Sequence, residues 1–437
     1  MTNDKVTVIG AGLAGVEAAW QIAKRGYAVD LYEMRPEKMT PAHKTSKYAE
    51  LVCSNSLKAM RKESAAGMLK EEMRLLGSLL CECADKCRVP AGGALAVDRD
   101  KFSDMVTQII ENEPLISVHH EEVKKIPDEQ IVIVAAGPLA SDPLAQDISE
   151  KFGGSLSFFD AAAPIVSAES IDMTSAFYQS RYDRGDSEDY VNCPMNKEEY
   201  EAFYSALISA ERAELHEFEK NKSVYEGCMP VEVMASRGQD TLRFGPMKPV
   251  GLTDPKTGHR PWAVLQLRKE NIASSAYNLV GFQTNLKFSE QKRVFSMIPA
   301  LKNAEFLRYG VMHRNTFINS PKILTPDFSV RGRENLFFAG QITGVEGYME
   351  SASSGIMAGI NAVRHLENRQ SVVLPAESMI GALSRYIGNS AVENFQPMGA
   401  NFGILPPLEE KIRDKKLRYG ALSERGLKKV SKIAEGI

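Results

Sequence analysis

The sequence predicts an α/β protein whose parallel sheet is assembled from both ends of the chain, with another domain inserted between them. A short β-branched strand, Lys5–Ile9, runs into a glycine-rich turn and then into small and apolar residues at helical spacing. A second strand, Ala28–Tyr32, follows that helix. Near the other end, an apolar strand over residues 335–339 leads through another glycine-rich turn into a small-residue helix over residues 349–366.

The N-terminal turn has the glycine spacing of a dinucleotide-binding loop, Gly10-Ala11-Gly12-Leu13-Ala14-Gly15. The first glycine permits a tight turn, the second lets a pyrophosphate approach the backbone, and the third lets helix and strand pack closely. Glu33 ends the second strand, where such folds place the acid that binds a ribose. An ordinary glycine turn is the alternative, but the strand, the helix and the acid together favour a dinucleotide site.

The C-terminal turn provides further candidate cofactor contacts, Gly340, Gln341 and Tyr348. Two more predicted strands cover residues 116–123 and 130–135, and the second ends in small residues, as a backbone close to a cofactor requires. In flavoproteins of the glutathione reductase type, a C-terminal strand, turn and helix close over the flavin. We therefore expect a Rossmann-like FAD-binding domain from residues 1–157 and 300–437, with an inserted α+β domain over residues 158–299.

Composition excludes several classes of protein. The 437 residues are 43% hydrophobic, which suits a folded protein of two or three domains. Apolar runs are of strand length, so we expect no membrane span, and six scattered cysteines do not form a disulfide framework, so we expect a cytoplasmic protein. With 53 basic and 56 acidic residues the net charge is -3, and a polyanion must be bound by a local patch.

Two segments carry such a local excess of positive charge. Residues 409–432 contain nine Lys or Arg against four Asp or Glu, and residues 35–62 contain seven against two. A solvated helix face is one explanation for the C-terminal segment, and a surface that contacts phosphates is the other. The candidate RNA-binding residues are Lys411, Lys415, Lys416, Lys428 and Lys429.

Two cysteines are candidates for chemistry. Cys53 lies among polar residues and near cations, ahead of a predicted helix, and a thiol in such a place ionises more easily. Cys228 lies between Gly227 and Pro230 in a predicted irregular loop that follows an amphipathic helix predicted over residues 197–220. An inert role is the alternative for each of the two thiols. Cys81, Cys83 and Cys87 lack the spacing of a zinc site, so we expect packing residues and no metal.

Longer motifs give the sequence a family resemblance over nearly its whole length. They are the segment 50–56 around Cys53, the run 225–232 around Cys228 with its continuation at 243–249, and the segments 338–341 and 347–350. The sequence resembles the flavin- and folate-dependent tRNA (uracil-5-)-methyltransferases, the family called TrmFO. Most flavoproteins of this fold have Asp where Gln341 stands, but the tRNA-modifying branch is similar to this sequence in having Gln.

The resemblance implies an enzyme that methylates C5 of uridine 54 in the T-loop of tRNA. Its carbon donor would be 5,10-methylenetetrahydrofolate, and its FAD would be reduced by NADPH or NADH. By resemblance Cys228 is the candidate nucleophile for C6 of uracil, and Cys53 is a second catalytic thiol that acts as a base or carries the one-carbon unit; their roles are exchangeable. His313 is the candidate to stack on the folate, with Tyr348 near the flavin ring, and a structural histidine is the alternative.

Other functions remain open at this stage. The same chemistry on a ribosomal RNA uridine is the nearest rival. A related branch modifies wobble uridine, but its members have an extra C-terminal helical domain for which 437 residues leave no room. An FAD oxidoreductase for a small metabolite, or a flavin-containing RNA-binding protein without catalysis, would explain the fold but not the motifs around the two thiols.

Overall fold

The computed structural model describes residues 5–128, 130–153, 156–183, 189–213, 229–393 and 395–437. The strands in these ranges are, in chain order, β1 (Lys5–Ile9), β2 (Ala28–Tyr32), β3 (Ser56–Ala59), β4 (Arg88–Val89), β5 (Ala94–Val97), β6 (Ile116–His119), β7 (Ile131–Val134), β8 (Leu156–Ala161), β9 (Ile165–Ser167), β10 (Phe177–Tyr178), β11 (Tyr190–Met195), β12 (Ala263–Lys269), β13 (Ala276–Leu279), β14 (Phe306–Arg308), β15 (Met312–Phe317), β16 (Ser329–Val330) and β17 (Arg333–Phe338). The helices are α1 (Leu13–Ala23), α2 (Ala65–Leu75), α3 (Leu79–Lys86), α4 (Arg99–Glu111), α5 (Asp142–Phe152), α6 (Lys197–Ser209), α7 (Val231–Ala235), α8 (Thr241–Phe244), α9 (Phe288–Phe295), α10 (Ser320–Ile323), α11 (Tyr348–Leu366), α12 (Met379–Ile387) and α13 (Lys415–Ala434).

One sheet joins the two ends of the chain. Its strand order is β16-β17-β7-β1-β2-β6, and all neighbours run parallel except the edge strand β16, which is antiparallel to β17. Strand β17 lies directly beside β7, with Phe337 opposite Ile133. The apolar runs of β1 and β7 are buried, as expected for parallel strands covered on both faces. The predicted α/β fold, assembled from both chain ends, is confirmed.

Glycines bring helix α11 into direct contact with helix α1. A Cβ atom on Gly355 would overlap the backbone oxygen of Ala14, and one on Gly359 would lie 2.7 Å from the backbone oxygen of Ala18. Neither position has room for a side chain, so the two backbones touch. The small residues predicted for this helix therefore fix the start of α11 beside the start of α1, at the edge of one cleft.

A second sheet belongs to the middle of the chain. It is antiparallel, with strand order β10-β11-β12-β13-β9-β14. Its residues belong to an apolar core that is separate from the core of the first sheet. Strands β8 and β15 form an antiparallel pair of their own. Because β14 covers Phe306–Arg308, this sheet uses residues on both sides of position 300. The domain limits 1–157, 158–299 and 300–437 stay a prediction.

Three predicted elements differ from the structure. The helix predicted over 197–220 ends at Ser209, because Ala210 is extended and Arg212 forms a bridge with Leu286 instead of continuing the helix. The strand predicted over 116–123 ends at His119. Cys53 precedes strand β3 rather than a helix, and the next helix begins at Ala65.

Candidate functional site

The predicted dinucleotide loop lies in a cleft at the carboxyl edge of the parallel sheet. Ligands of open α/β sheets bind at this edge. Most of the residues predicted to contact a cofactor line the cleft, namely Gly10, Gly12, Leu13, Ala14, Glu33, Gly340, Gln341 and Tyr348. Ala11 and Gly15 are buried and do not line the cleft.

The three glycines of the loop have local geometry compatible with their predicted uses. Gly10 has φ +102°, and a Cβ there would lie 2.6 Å from the backbone oxygen of Ala135. A Cβ on Gly15 would overlap the backbone oxygen of Gly10, so this glycine permits helix and strand to pack. Gly12 has open space where its side chain would be, and it precedes α1 without any side-chain cap. An anion can therefore approach the N-terminus of α1.

Glu33 is fixed and ionised at the end of β2. Its Oε2 accepts a hydrogen bond from the backbone N–H of Ala11 at 3.0 Å, and its Oε1 accepts one from Nε of Arg35 at 2.9 Å. Burial by itself raises the pKa of Glu33, but the hydrogen bonds and charge of Arg35 outweigh it, and the pKa lies below its usual value. The carboxylate lines the cleft at the position where such folds bind a ribose.

The C-terminal turn closes the other side of the cleft. Gly340 has φ +86°, and its N–H donates to Oγ of Ser354 in α11 at 2.7 Å. The side-chain amide of Gln341 donates to Glu346 at 2.8 Å. Together with the open Gly12, the uncapped start of α1 and Glu33 at the cleft wall, this arrangement fits a dinucleotide such as FAD. Those residues would hold its pyrophosphate and ribose.

Cys53 lies beside the cleft and contacts Tyr348, the first residue of α11. The Tyr348 hydroxyl lies 3.0 Å from the Cys53 Sγ and accepts the backbone N–H of Cys53 at 2.8 Å and that of Ser54 at 3.2 Å. Val52, the neighbour of Cys53, lines the cleft. The predicted thiol and the predicted flavin contact therefore belong to one site.

Three arginines hold the segment around Cys53. Arg99, at the start of α4, donates to the backbone oxygen of Leu51 at 2.7 Å and to that of Cys53 at 3.4 Å. Arg308 donates to the backbone oxygen of Val52, and Arg268 donates to Oγ of Ser54 at 2.9 Å. Two of these arginines come from the antiparallel sheet and the third from helix α4, so distant parts of the chain hold the segment that carries the thiol.

One ion pair lies within this cluster, whereas Arg268 and Arg308 donate to uncharged groups of the Cys53 segment. Arg99 Nε lies 2.6 Å from a carboxylate oxygen of Glu270. Burial lowers the pKa of Arg99, but Glu270, Tyr348 and Cys53 outweigh that effect and the pKa lies above its usual value. Burial lowers the pKa of Arg308, as does the neighbouring Arg99. The site thus concentrates positive charge around one thiol.

The sequence did not identify Arg99, Arg268, Glu270 or Arg308 as site residues. A signal was present for two of them: Arg268 and Glu270 are charged residues at the end of a strand whose other positions are almost all buried. A buried charge in a strand needs a partner, and such pairs gather at functional sites. Arg99 and Arg308 have no comparable signal. Arg99 lies in a polar stretch of the sequence and Arg308 follows apolar residues, so neither position stands out.

Several predicted residues lie away from this cluster or outside the description. Cys228 lies outside the described residues. His313 lies in β15 opposite Asp160, but its side chain is outside the described part. The candidate RNA-binding residues are all exposed, on α13 or just before it: Lys411, Lys415, Lys416, Lys428 and Lys429.

The remaining cysteines are packing residues, as predicted for three of them. Cys81, Cys83, Cys87 and Cys193 are buried. Burial raises the pKa of Cys81 and that of Cys83 to about 12, so neither thiol ionises near neutral pH. Among the described residues, no group of three His, Cys, Asp or Glu side chains is arranged to hold a metal ion, and no helix is long and apolar enough to cross a membrane.

The fold and the cleft define a dinucleotide-binding protein of the flavoprotein class. The family model described as glucose inhibited division protein A matches residues 5–370. Proteins named methylenetetrahydrofolate--tRNA-(uracil-5-)-methyltransferase TrmFO are similar over the full length: that of Desulfitobacterium hafniense is 58% identical over 99% of both chains, and that of Acetivibrio thermocellus is 59% identical over 97% of both. The chain belongs to this family.

A solved structure supports the same fold. Aquifex aeolicus GidA, in one of its crystal forms, superposes with a TM-score of 0.72 over 99% of this chain and 75% of the GidA chain, at 16% identity. At that identity the likeness concerns the fold alone.

Proposed function

We propose that this protein is a folate-dependent methyltransferase that forms ribothymidine at uridine 54 in the T-loop of tRNA. The observation that carries the proposal is the thiol of Cys53, held by Tyr348 and three arginines beside a cleft built for a dinucleotide. The relatives' printed name supports the choice of folate as carbon donor and of a tRNA uracil as acceptor.

The chemistry requires two groups from the protein. Uracil C5 becomes a nucleophile only after a thiolate adds to C6, and a base must later remove the C5 proton. We assign the first role to Cys228 and the second, or the transport of the one-carbon unit, to Cys53. Once the C5 proton is removed, tetrahydrofolate leaves the methylene carbon. Bound FAD, reduced by NADPH or NADH, would supply the hydride that turns this carbon into a methyl group as the thiolate leaves C6. His313 would stack on the folate, and Glu33, Gly12 and Gly340 would hold the FAD.

Methyl transfer to an unmodified tRNA transcript tests this function. We expect incorporation with 5,10-methylenetetrahydrofolate and either nicotinamide cofactor, no incorporation with S-adenosylmethionine, and loss of incorporation when uridine 54 is replaced. A ribosomal RNA fragment serves as the competing substrate. Activity on that fragment alone would mean that the substrate is ribosomal RNA and not tRNA.

Tracking a covalent complex separates the two thiols. With tRNA that carries 5-fluorouracil at position 54, we expect a denaturation-resistant adduct in the wild type but not in Cys228→Ala, because fluorine cannot leave as a proton does. Cys53→Ala should keep the adduct if Cys53 is the base and lose it, together with Cys228→Ala, if Cys53 carries the one-carbon unit. Cys193→Ala is the control, since this thiol is buried in the other core. Loss of the adduct only in Cys53→Ala would exchange the two roles.

A further inference from the structure

The contacts of the Tyr348 hydroxyl determine where its proton points. A phenol has one O–H donor and two acceptor lone pairs. The oxygen accepts two backbone N–H groups, those of Cys53 at 2.8 Å and Ser54 at 3.2 Å. Its third near neighbour is the Cys53 Sγ at 3.0 Å. Because both lone pairs are used by N–H groups, the hydroxyl is the donor toward sulfur rather than the acceptor from it.

The charges around the sulfur favour the same polarity. Arg99 from α4 and Arg308 from β14 both interact electrostatically with Cys53. One carboxylate, Glu270, pairs with Arg99, and Arg268 binds the neighbouring Ser54. The segment therefore faces more positive than negative charge, and a negative sulfur is stabilised there.

The phenol itself stays protonated. Burial raises the pKa of Tyr348 well above its usual value, and the adjacent Cys53 raises it further. Tyr348 therefore remains a hydrogen-bond donor over the whole pH range in which a thiol titrates.

We propose that Tyr348 is a positioning residue for Cys53, whose hydroxyl donates a hydrogen bond to Sγ and thereby favours the thiolate. The thiol's proton goes to water, and the phenol keeps its own. The proposal rests on the proposed function in taking Cys53 as a reacting thiol. It gives Tyr348 a role in addition to its predicted contact with the flavin.

The test is the pH dependence of alkylation of Cys53 by iodoacetamide in the purified protein with its cofactor bound, followed by mass spectrometry of the Cys53 peptide. In Tyr348→Phe we expect the midpoint of the alkylation rate to move up by about one to two pH units, because a hydrogen bond to a charged group is lost. Tyr32→Phe is the matched control, since Tyr32 also lines the cleft; its midpoint should equal that of the wild type.

A second variant keeps the two backbone contacts. Site-specific replacement of Tyr348 by a monofluorotyrosine makes the phenol a stronger donor, and the midpoint should move down. The fluorotyrosine variant also tests the proposal if Tyr348→Phe does not fold. An unchanged midpoint with fluorotyrosine, or a lower midpoint in Tyr348→Phe, would overturn the proposal. Since the assay contains no tRNA or folate, a failure of the proposed function is read separately, from methyl transfer.

Discussion

The Cys53 segment (residues 51–55) and helix α13 both carry predicted functional residues, and the structure holds them in opposite ways. The Cys53 segment is held by residues from distant parts of the chain: Arg99 and Arg308 donate to its backbone oxygens, and the Tyr348 hydroxyl contacts the thiol. Helix α13 presents its lysines to solvent and packs its other side on α2, where a Cβ on Gly426 would overlap Met68. Hydrogen bonds fix the Cys53 segment in one place, whereas the exposed charges of α13 stay accessible to a polyanion.

Breaking the buried ion pair should have the largest effect on stability. Arg99→Ala leaves the carboxylate of Glu270, whose side chain is 6% exposed, without this cation. Removing one partner of a buried pair costs about 3 to 5 kcal/mol. Urea unfolding should show that loss, while Lys429→Ala, which breaks an exposed pair with Glu377, should cost at most about 1 kcal/mol. Equal losses would contradict the contrast between the two regions.

Two glycine substitutions should change stability in opposite directions. Gly355→Ala forces α11 away from α1, because the new Cβ would overlap the backbone of Ala14, and we expect a loss of about 1 to 3 kcal/mol. Gly420→Ala in α13 adds a Cβ 3.7 Å from Glu63, an ordinary contact, and should gain about 0.5 to 1 kcal/mol from helix propensity. Thermal unfolding of the two variants measures both. A stable Gly355→Ala variant would mean that the helices separate without cost.

The contrast also explains how much the sequence could predict. The strands, the glycine loop, Glu33 and the exposed lysines follow from local patterns, because the period of a helix or strand determines which residues face solvent. The partners of Cys53 do not, because Arg268 and Arg308 reach it only through the packing of the antiparallel sheet against the first domain. Helix α6 ends early for a related reason, since Ala213 bonds to Asn285, far along the chain.

The free energy of unfolding should depend on pH with opposite sign at two buried carboxyls, Glu72 beneath α13 and Glu33 at the cleft. Under α13, burial raises the pKa of Glu72 in α2 to about 8, against hydrogen bonds from the backbone N–H groups of Met379 and Ile380. The folded state therefore keeps a proton between pH 4.5 and about 8 that the unfolded state has lost. The free energy of unfolding should fall as pH rises through this window, by up to about 1.4 kcal/mol per pH unit.

Glu33 at the cleft provides the opposite case. Its pKa lies below the usual value because Arg35 and the backbone of Ala11 outweigh burial, so its stabilisation is present above pH 4.5 and is lost as pH falls. Urea titrations from about pH 3 to pH 8 cover both windows, since the Glu33 window lies below pH 4.5. Glu72→Gln should flatten the decline toward pH 8, and Glu33→Gln should reduce the loss below pH 4.5. If both variants follow the wild-type curve, these two carboxyls do not govern the pH dependence.

The smallest expected effect per residue concerns the exposed lysines of α13. Reversing Lys415, Lys416 and Lys428 to Glu should weaken tRNA binding, and each lost phosphate contact should lower the slope of log K against log salt by about 0.9 in duplex regions. Flavin content and the midpoint of Cys53 alkylation should not change, because these side chains are exposed and lie outside the cleft. Lys86→Glu, an exposed reversal on α3, is the control. The net charge of the chain is -3, so its global charge does not attract tRNA and a local patch is needed. An unchanged salt slope in the triple variant would mean that α13 is only a solvated helix. The RNA contact would then be sought in the other basic segment, residues 35–62.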